Sequence, residues 1–352
     1  MFDLEISDNF YNSIIDCGDI TKSIHRILNN DFFTLEDNQK SEYLISLFYG
    51  LNNYNVSPLI IAELFKAVVS IDDYNRDNQP VANIEGAVVL ECSGSGKKPI
   101  KTLNISTPSM VIAVAAGAYI IKKGSSATSS NIGSADLLYK LGFMEKQNNL
   151  YSLVETGFTF VNIEHVIPKF NNLYNGRFYD VHILSNVLGG AVTSIRGNKI
   201  VYGISMPNTK KACSALMLLA PKQDIIVYSS SEDGISFFDE ILGNGTSYFT
   251  RNNGKNLISS ELLSQGESIK TIATNCNDAV IIKTIVETLK RPQKNAYTNT
   301  LLLNAGFYLR EAEIVKNIED GVLLAEETLF SGKAYNKLTE IIKHSGGNPS
   351  WI

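Results

Sequence analysis

In the first part of the chain, up to about Ile71, apolar residues recur at the spacing of amphipathic helices. Two windows show the pattern most clearly. Their apolar positions are Tyr43, Leu44, Leu47 and Phe48, and then Ile60, Ile61, Leu64, Phe65 and Val68. The polar residues 72–80 that follow are predicted to be a linker. The pattern predicts a small all-helical N-terminal domain over residues 1–75.

Beyond residue 80 the hydrophobic pattern changes to that of short buried strands. Residues 87–90 form an apolar run that ends at a serine and glycine cluster, and similar runs lie at residues 199–204 and 224–228. Residues 212–219, between the last two runs, have a helical pattern. Strands that alternate with helices indicate parallel βαβ connections. We therefore predict an α/β fold, in which a larger α/β domain over residues 80–352 has a mainly parallel central sheet flanked by helices.

Three further segments are predicted to be helical. Residues 110–121, the longest apolar stretch, read as a buried helix that starts near Pro108. This stretch is too short, and too rich in alanine and glycine, to span a bilayer, so no membrane association is expected. A segment near residues 165–185 is a candidate to complete the N-terminal domain, and the tail from Thr300 is helical again.

Composition excludes several classes of protein. The chain has 352 residues, of which 44% are hydrophobic and 19% are charged, enough for a large core and a second domain. A net charge of -5 with interspersed signs argues against a nucleic-acid partner. The four cysteines lie far apart and the acidic N-terminus lacks a signal pattern. These features indicate a cytoplasmic protein.

A glycine-rich segment after the first strand is a candidate anion site. Gly94-Ser95-Gly96 leads through two lysines to Asn104-Ile105-Ser106-Thr107. Glycines let backbone N–H groups approach a phosphate, and Thr107 before Pro108 is a good helix N-cap whose helix would point its positive end at the loop. The order matches neither a Walker P-loop nor a dinucleotide fingerprint. The alternative interpretation is an ordinary glycine turn before a capped helix.

A second cluster of basic and small residues follows the predicted buried helix. It consists of residues 122–126, Lys-Lys-Gly-Ser-Ser, and then Gly133-Ser134-Ala135-Asp136. Here too a structural interpretation is open, namely a basic last helical turn that Gly124 ends and a serine that starts the next helix.

Taken together, the ordered motifs resemble the family of anthranilate phosphoribosyltransferase, whose fold is shared with pyrimidine nucleoside phosphorylases. The family patterns are G-T-G-G-D-G, N-[VI]-S-T, K-H-G-N-R and S-G-S-A-D-x-L-E-x-L-G. They correspond here to residues 94–99, 104–107, 122–126 and 133–142. Further matches are residues 186–189, N-V-L-G, residues 232–240 with E-D-G and then D-E, and the helical ending from Leu303 to Ala334. The resemblance spans roughly residues 25–340.

The resemblance implies that the chain binds phosphoribosyl pyrophosphate together with Mg²⁺. The implied donor-binding residues are Gly94, Ser95, Gly96, Lys98, Thr102, Asn104, Ser106, Thr107, Lys122 and Ser134. Lys122 and Asn104 would act by positioning and electrostatics, and no residue is identified as a catalytic acid or base. The implied metal ligands are Ser106, Asp239 and Glu240, since Mg²⁺ prefers oxygen ligands. For Asp239 and Glu240 the alternative interpretation is a solvated surface pair.

The departures from the family pattern cluster at the substrate end. Residues 97–99, Lys-Lys-Pro, replace Gly-Asp-Gly, which reverses a charge and removes glycine freedom. The implied acceptor-binding residues are Lys123, which replaces His, Ser125, which replaces Asn, and His182, which replaces an arginine that reads the acceptor's carboxylate. Histidine cannot reproduce the bidentate fork of arginine, so the acceptor is expected to differ from anthranilate or to be held differently. His182 is otherwise read as a half-buried structural residue.

The function expected from this resemblance is phosphoribosyl transfer to a small aromatic amine or N-heterocycle, with release of pyrophosphate. A diverged anthranilate phosphoribosyltransferase of tryptophan biosynthesis, a nucleoside phosphorylase and a non-catalytic binding protein are the alternatives. Relatives of this family also imply a homodimer formed through the helical domain.

Overall fold

The N-terminal part of the protein is a set of helices that pack through their apolar faces. A computed structural model of the chain describes residues 3–15, 17–127, 132–145, 149–174, 177–254 and 256–349. The first four helices are α1 Leu4–Ile15, α2 Ile20–Asp31, α3 Asp37–Gly50 and α4 Pro58–Val69. The start of α4 shows why the sequence folds this way, because Ser57 accepts a hydrogen bond from the backbone N–H of Ile60 and Pro58 occupies the first turn.

The rest of the chain forms one sheet with helices on both faces. Its strands are β1 Val89–Gly94, β2 Tyr119–Gly124, β3 Phe158–Asn162, β4 Lys199–Gly203, β5 Asp224–Ser231, β6 Phe237–Phe238, β7 Asn244–Asn253 and β8 Asn256–Gln265. The strand order is β3-β2-β1-β4-β5-β7-β8, with β6 paired to β5. The pairs among β1–β5 are parallel and the pairs that involve β6, β7 and β8 are antiparallel. The predicted α/β class with a mainly parallel sheet is confirmed.

Helices follow or separate most of these strands. They are α5 Ser106–Ala115, α6 Ser134–Lys140, α7 Asn149–Thr156, α8 Ile163–Val166, α9 Pro168–Tyr174, α10 Leu188–Ala191, α11 Thr209–Leu219, α12 Asp278–Lys290, α13 Ala296–Glu311, α14 Ile318–Phe330 and α15 Lys333–His344. Short 3-10 helices cover Leu51–Asn53, Ser70–Asp72, Arg76–Asn78, Ile183–Asn186 and Ile269–Ile272. No helix among the described residues is long and apolar enough to cross a membrane.

Successive residues of the central strands face opposite cores. Val201 and Ile226 pack into the core on one face of the sheet, together with residues of α5 and α13. Ile200 and Ile225, one position earlier, pack into the core on the other face, together with the N-terminal helices and α11. A parallel sheet that is covered on both faces needs apolar side chains in both directions, which explains the continuous apolar runs in the sequence.

The segment near residues 165–185 packs on the N-terminal helices. The rings of Phe48 and Phe178 have their centroids 5.5 Å apart. The side-chain amide of Asn52 donates to the carbonyl of Val181 at 3.0 Å. After β3 the chain therefore returns to the N-terminal helices, and we call α1–α4 together with this returning segment the helical layer. The exact limits of the two domains, residues 1–75 and 80–352, stay a prediction.

The expected buried helix over residues 110–121 is wrong in its second half. Helix α5 ends at Ala115, and Gly117 then adopts a φ of +107° that turns the chain into β2. Tyr119, Ile120 and Ile121 are aromatic or β-branched and suit a strand. Lys122 and Lys123 thus lie at the carboxyl end of a strand and not in the last turn of a helix.

The start of α5 also differs from the expectation. The helix begins at Ser106, with Ile105 at the N-cap position, so Thr107 lies inside the first turn. The side-chain oxygen of Asn104 accepts a hydrogen bond from the N–H of Thr107 at 3.1 Å. Asn104 therefore does the capping that was expected of Thr107, and Pro108 is tolerated because first-turn N–H groups have no intrahelical partner.

Candidate functional site

The site lies where the parallel strands end and their carboxyl ends meet, the usual place for ligands in open α/β sheets. Gly94 at the end of β1 is paired in register with Gly203 at the end of β4. A polar cavity of about 860 Å³ opens here, and we call it the donor cavity. Its lining includes Gly94, Ser95, Gly96, Lys98, Lys101, Thr102, Asn104, Ser106, Lys123, Ser125, Ser134, Asp239 and Glu240. The structure thus brings together most of the residues that the sequence motifs singled out.

The glycine loop is held in place by bonds to neighbouring strands and loops. The N–H of Ser95 donates to the carbonyl of Gly203 at 2.9 Å, and the N–H of Ser205 donates to Ser95 Oγ at 2.9 Å. Gly96 has a φ of +72° and donates its N–H to Asp239 Oδ2 at 2.8 Å. A Cβ on Gly94 would lie 2.3 Å from the same oxygen. Glycine is therefore required at position 94 for the close approach of the Asp239 carboxylate.

The first turn of α5 and the end of β2 form the floor of the donor cavity. Lys122 is buried, and its Nζ lies 3.4 Å from Ser106 Oγ. Burial lowers the pKa of Lys122 to about 8. Neither Lys122 nor Thr107 belongs to the cavity lining, so the ammonium of Lys122 acts from behind the Ser106 hydroxyl.

Residues 125–127 and 132–134, which lie between β2 and the first turn of α6, form the opposite wall. Asp136 Oδ2 accepts hydrogen bonds from the N–H groups of Ala127 at 2.7 Å and Gly133 at 3.0 Å. A Cβ on Gly124 would lie 2.7 Å from the Cβ of Ser134. The aspartate of the fourth motif is therefore a structural residue that holds the loop around Ser134.

A buried carboxylate pair, Asp239 and Glu240, closes the third side of the donor cavity. Their residues are 5% and 2% exposed, which excludes the alternative of a solvated surface pair. The Nζ of Lys98 forms an ion pair with Glu240 Oε1. Burial opposes the charged form of Lys98, but the charges of Glu240 and Asp239 outweigh it and raise the pKa of Lys98. Burial, and then the charge of Asp239, raise the pKa of Glu240, while the charge of Lys98 acts in the opposite direction.

The oxygen atoms of this pair fit a Mg²⁺ ion. Asp239 Oδ1 and Glu240 Oε2 are buried and have no hydrogen-bond partner among the described residues. The described part of the chain contains no group of three or more His, Cys, Asp and Glu side chains that could hold a metal by itself. Mg²⁺ is commonly held by one or two carboxylates together with substrate phosphates, and a pair of carboxylates is sufficient for that arrangement.

A second cavity, of about 660 Å³, adjoins the first and reaches toward the helical layer. We call it the aromatic cavity. It is lined by Gly94, Ser95, Lys97, Ser125, Ile163, Glu164, Ile167, Phe170, Asn171, Tyr174, Ser185, Leu188, Gly189 and Tyr202. Gly94, Ser95, Ser125 and Ile163 belong to both linings, so the two cavities are adjacent.

The three expected acceptor-binding residues lie in different surroundings in the structure. Ser125 lines both cavities. Lys123 is fully enclosed, and its Nζ donates to Glu91 Oε2 at 3.0 Å and to the carbonyl of Gly190 at 2.7 Å, so its charge is already used inside the protein. Lys123 also belongs to the lining of the donor cavity, and its role in acceptor binding stays a prediction.

His182 belongs to the lining of neither cavity. It is fully buried, its Nε2 is 2.7 Å from the hydroxyl of Tyr174, and its ring stacks on Phe48 with centroids 5.6 Å apart. Burial, and then the charge of Lys97, hold the pKa of His182 well below its usual range. A neutral histidine behind Tyr174 positions that tyrosine and is not available to read a carboxylate. His182 is buried completely, and not half-buried as the alternative interpretation expected.

Sequence reasoning missed Lys97, Phe170 and Tyr174 as candidate acceptor residues. Lys97 is buried, donates from Nζ to the carbonyl of Phe178, and lies 5.9 Å from the centroid of the Tyr174 ring. Phe170 and Tyr174 are four residues apart on α9, so they share one helix face. The sequence shows this spacing, but it does not show which cavity the helix face covers.

Comparison with known proteins assigns this two-domain α/β fold to a protein family. Residues 86–335 match the model of the glycosyl transferase family, a/b domain. That range covers most of the chain, and the chain belongs to this family.

Individual relatives within this family show which enzymes the chain is similar to. The anthranilate phosphoribosyltransferase of Pseudoalteromonas translucida is 27% identical over 369 residues, with 97% of each chain covered. The structure of anthranilate phosphoribosyltransferase from Saccharomyces cerevisiae in complex with 4-fluoroanthranilate matches with a TM-score of 0.75 at 16% identity, covering 98% of this chain and 99% of the other. The same yeast enzyme in complex with PRPP and Mg matches with a TM-score of 0.67 at 19% identity, covering 93% and 92%. The resemblance stated from the sequence motifs is confirmed.

Proposed function

We propose that this protein transfers the 5-phosphoribosyl group of phosphoribosyl pyrophosphate to a small aromatic amine or N-heterocycle and releases pyrophosphate. One observation carries the proposal: a polar cavity built for phosphates adjoins an aromatic cavity, and the two share part of their lining. A transfer reaction needs both substrates held in contact, since positioning alone supplies a large part of the rate. The names and bound ligands of the relatives support the same reaction.

At the donor end, fixed groups are arranged to receive phosphate oxygens. These groups are the hydroxyls of Ser106 and Ser134 and the ammonium group of Lys98, and the ammonium of Lys122 supports the Ser106 hydroxyl from outside the cavity lining. As the bond from C1 of ribose to pyrophosphate breaks, negative charge builds on the leaving group, and preorganised donors stabilise it. Mg²⁺ held by Ser106, Asp239 and Glu240 would add neutralising charge on the same oxygens.

At the acceptor end, the aromatic cavity suits a flat ring with an acidic substituent. Phe170 and Tyr174 offer faces for the ring, and Lys97 offers a cation beside them. The hydroxyl of Ser125, where the two cavities meet, would orient a ring amine toward the donor. Anthranilate combines a ring, an amine and a carboxylate, and is therefore the first acceptor to test.

The reaction can be followed by pyrophosphate release from phosphoribosyl pyrophosphate and Mg²⁺, with anthranilate and then other aromatic amines as acceptors. We expect release that depends on the acceptor. A double variant with Asp239→Ala and Glu240→Ala should lose Mg²⁺-dependent turnover yet keep its fold by circular dichroism. Undiminished activity in that variant would contradict the metal assignment.

The other functions are not favoured by the relatives but are separated by the same assay. A nucleoside phosphorylase would cleave nucleosides with free phosphate and would release no pyrophosphate. A binding protein without catalysis would bind the donor and release nothing with any acceptor.

We also propose a homodimer formed through the N-terminal helices, where Leu4 and Ile15 are exposed. Light scattering of the purified protein would test the dimer. The predicted cytoplasmic location is a separate proposal.

A further inference from the structure

Lys98 is the departure from the family pattern that changes the charge of the site most. The pattern has an aspartate at this position, and this chain has a lysine. Its side chain is only 16% exposed and ends on the carboxylate of Glu240. The lysine therefore does not extend into solvent, and its ammonium lies at the corner of the donor cavity where a metal would be held.

The backbone of the glycine loop holds the lysine in this position. Gly96, two residues earlier, donates its N–H to Asp239 Oδ2, so the loop is attached to the first carboxylate and directs Lys98 onto the second. Both carboxylates and Lys98 line the donor cavity together. An ammonium in this position has three donors, and Glu240 needs only one of them, so the others can face a ligand.

The charges of Asp239, Glu240 and Lys98 do not balance one another at this corner of the donor cavity. When both carboxylates are ionised, Asp239 and Glu240 carry two negative charges, and Lys98 supplies one positive charge against them. A phosphate ligand that enters the cavity adds more negative charge. In a buried site such charge must be compensated, either by a cation from solution or by the protein itself.

We infer that Lys98 is a built-in cation of the donor site, which replaces part of the charge compensation that Mg²⁺ would supply, so that the pyrophosphate group binds with a reduced requirement for the metal. The inference rests on the proposed function, because it takes the donor cavity to hold pyrophosphate. Asp239 Oδ1 and Glu240 Oε2 remain free for a metal, but that metal must compete with Lys98 for Glu240.

This competition predicts opposite effects of one substitution. Lys98→Met keeps the length of the side chain and removes the charge. We expect pyrophosphate binding without metal, measured by calorimetry in EDTA, to weaken by about tenfold or more, the usual loss for a charge-assisted hydrogen bond. We expect the affinity for Mn²⁺, measured by electron paramagnetic resonance without pyrophosphate, to rise about tenfold, since the carboxylate pair no longer has a lysine partner. A variant that was merely destabilised would lose both affinities.

Lys101→Met is the matched control, because Lys101 lines the same cavity from its exposed rim. It should change pyrophosphate affinity by the same factor with and without Mg²⁺ and leave Mn²⁺ affinity unaltered. Lys98→Gln provides a second neutral variant if Lys98→Met does not fold.

The outcomes separate this inference from the proposed function. If the wild-type protein binds pyrophosphate only with Mg²⁺, or if the neutral Lys98 variants leave Mn²⁺ affinity unchanged, the inference is overturned while donor binding and transfer stand. If neither pyrophosphate nor phosphoribosyl pyrophosphate binds with or without Mg²⁺, the proposed function fails and the inference fails with it. Metal-free binding that Lys98→Met abolishes, together with tighter Mn²⁺ binding, supports the inference.

Discussion

Lys97 combines burial, an aromatic neighbour and a titratable charge in the aromatic cavity. Its residue is 7% exposed, and its Nζ bonds to the carbonyl of Phe178 beside the Tyr174 ring. Burial lowers the pKa of Lys97 to about 8, although the charge of Asp180 acts in the opposite direction. The side chain is therefore mostly charged at neutral pH and loses its proton within a range that kinetics can reach.

We predict that Lys97 makes acceptor binding depend on pH. Below its pKa the lysine is protonated and attracts the carboxylate of anthranilate, and above its pKa this attraction is lost. The KM for anthranilate should therefore rise about tenfold between about pH 7 and about pH 9. Lys97→Met should show the high KM throughout, and Lys97→Arg should remove the pH dependence because arginine keeps its charge.

Steady-state kinetics across this range would test the prediction. Lys122, whose pKa is also lowered to about 8, acts at the donor end, so its titration should alter the KM for the donor in all three proteins alike. A pH profile for anthranilate that Lys97→Met leaves intact would assign the titration to another group.

At the scale of single residues, the sequence located the lining of the donor cavity better than the lining of the aromatic cavity. Gly94, Asn104, Ser106 and Ser134 belong to short ordered motifs, and their local chain geometry brings them to the ends of adjacent strands. The direction of Lys123 could not be predicted, because it depends on Glu91 in a neighbouring strand. His182, Phe170 and Tyr174 depend on how α9 packs on the helical layer, which motif spacing does not encode.

At the scale of secondary-structure elements, helix α13, from the far end of the chain, holds the backbone beside the carboxylate pair of Asp239 and Glu240. Asn304 in α13 is fully buried, and its side-chain oxygen accepts from the N–H of Ile241 at 3.0 Å. Its amide donates to the carbonyls of Ile241 and Thr300, each at 2.9 Å. The backbone next to Glu240 is therefore fixed to α13 by one side chain.

We predict that Asn304→Ala lowers both stability and metal-dependent donor binding. The substitution leaves the buried N–H and carbonyl of Ile241 without partners, which costs about 1–3 kcal/mol. Denaturant unfolding would measure the loss, and calorimetry with pyrophosphate and Mg²⁺ would show weaker binding because the carboxylates are less well positioned. Asn299→Ala is the control on the same helix, since the exposed Asn299 donates to Glu267 at 3.3 Å away from the site. Donor affinity that stays at the wild-type value in Asn304→Ala would mean that α13 does not position the pair.

Predictions of whole elements succeeded where the hydrophobic period was unambiguous. The strands at residues 199–204 and 224–228 and the helix between them are β4, β5 and α11, within a few residues. Residues 110–121 failed because an apolar run can be helix or strand, and Gly117 divides it. The hairpin of β7 and β8 was missed because its strands at the sheet edge are rich in polar side chains.

At the scale of the whole molecule, a buried charge network connects the segment after α4 with the sheet. Glu91 in β1 is fully buried and accepts hydrogen bonds from Arg76 at 2.7 Å, Lys123 at 3.0 Å and Gln223 at 2.6 Å. Arg76 lies in the segment between α4 and the sheet, and it also donates to the carbonyl of Ala191 at 2.8 Å. Burial would raise the pKa of Glu91, but the charges of Lys123 and Arg76 outweigh it and lower the pKa from 4.5 to about 2.

We predict that Glu91→Gln lowers the free energy of unfolding by about 3–5 kcal/mol at neutral pH, because it leaves two buried cations without their anion. The control Glu85→Gln, at an exposed position before β1, should change it by no more than about 0.5 kcal/mol.

The pH dependence of this difference follows from the lowered pKa of Glu91. Its contribution is fully present above the unfolded-state value near 4.5, and it is lost as the pH falls toward the folded-state value of about 2. The gap in stability between wild type and Glu91→Gln should therefore be nearly constant between about pH 5 and about pH 7 and narrow below that range, because a protonated Glu91 resembles glutamine. Urea unfolding of both proteins over this range would measure the gap. A gap that keeps its full size at the acidic end would show that the loss comes from packing around position 91 and not from the charge of Glu91.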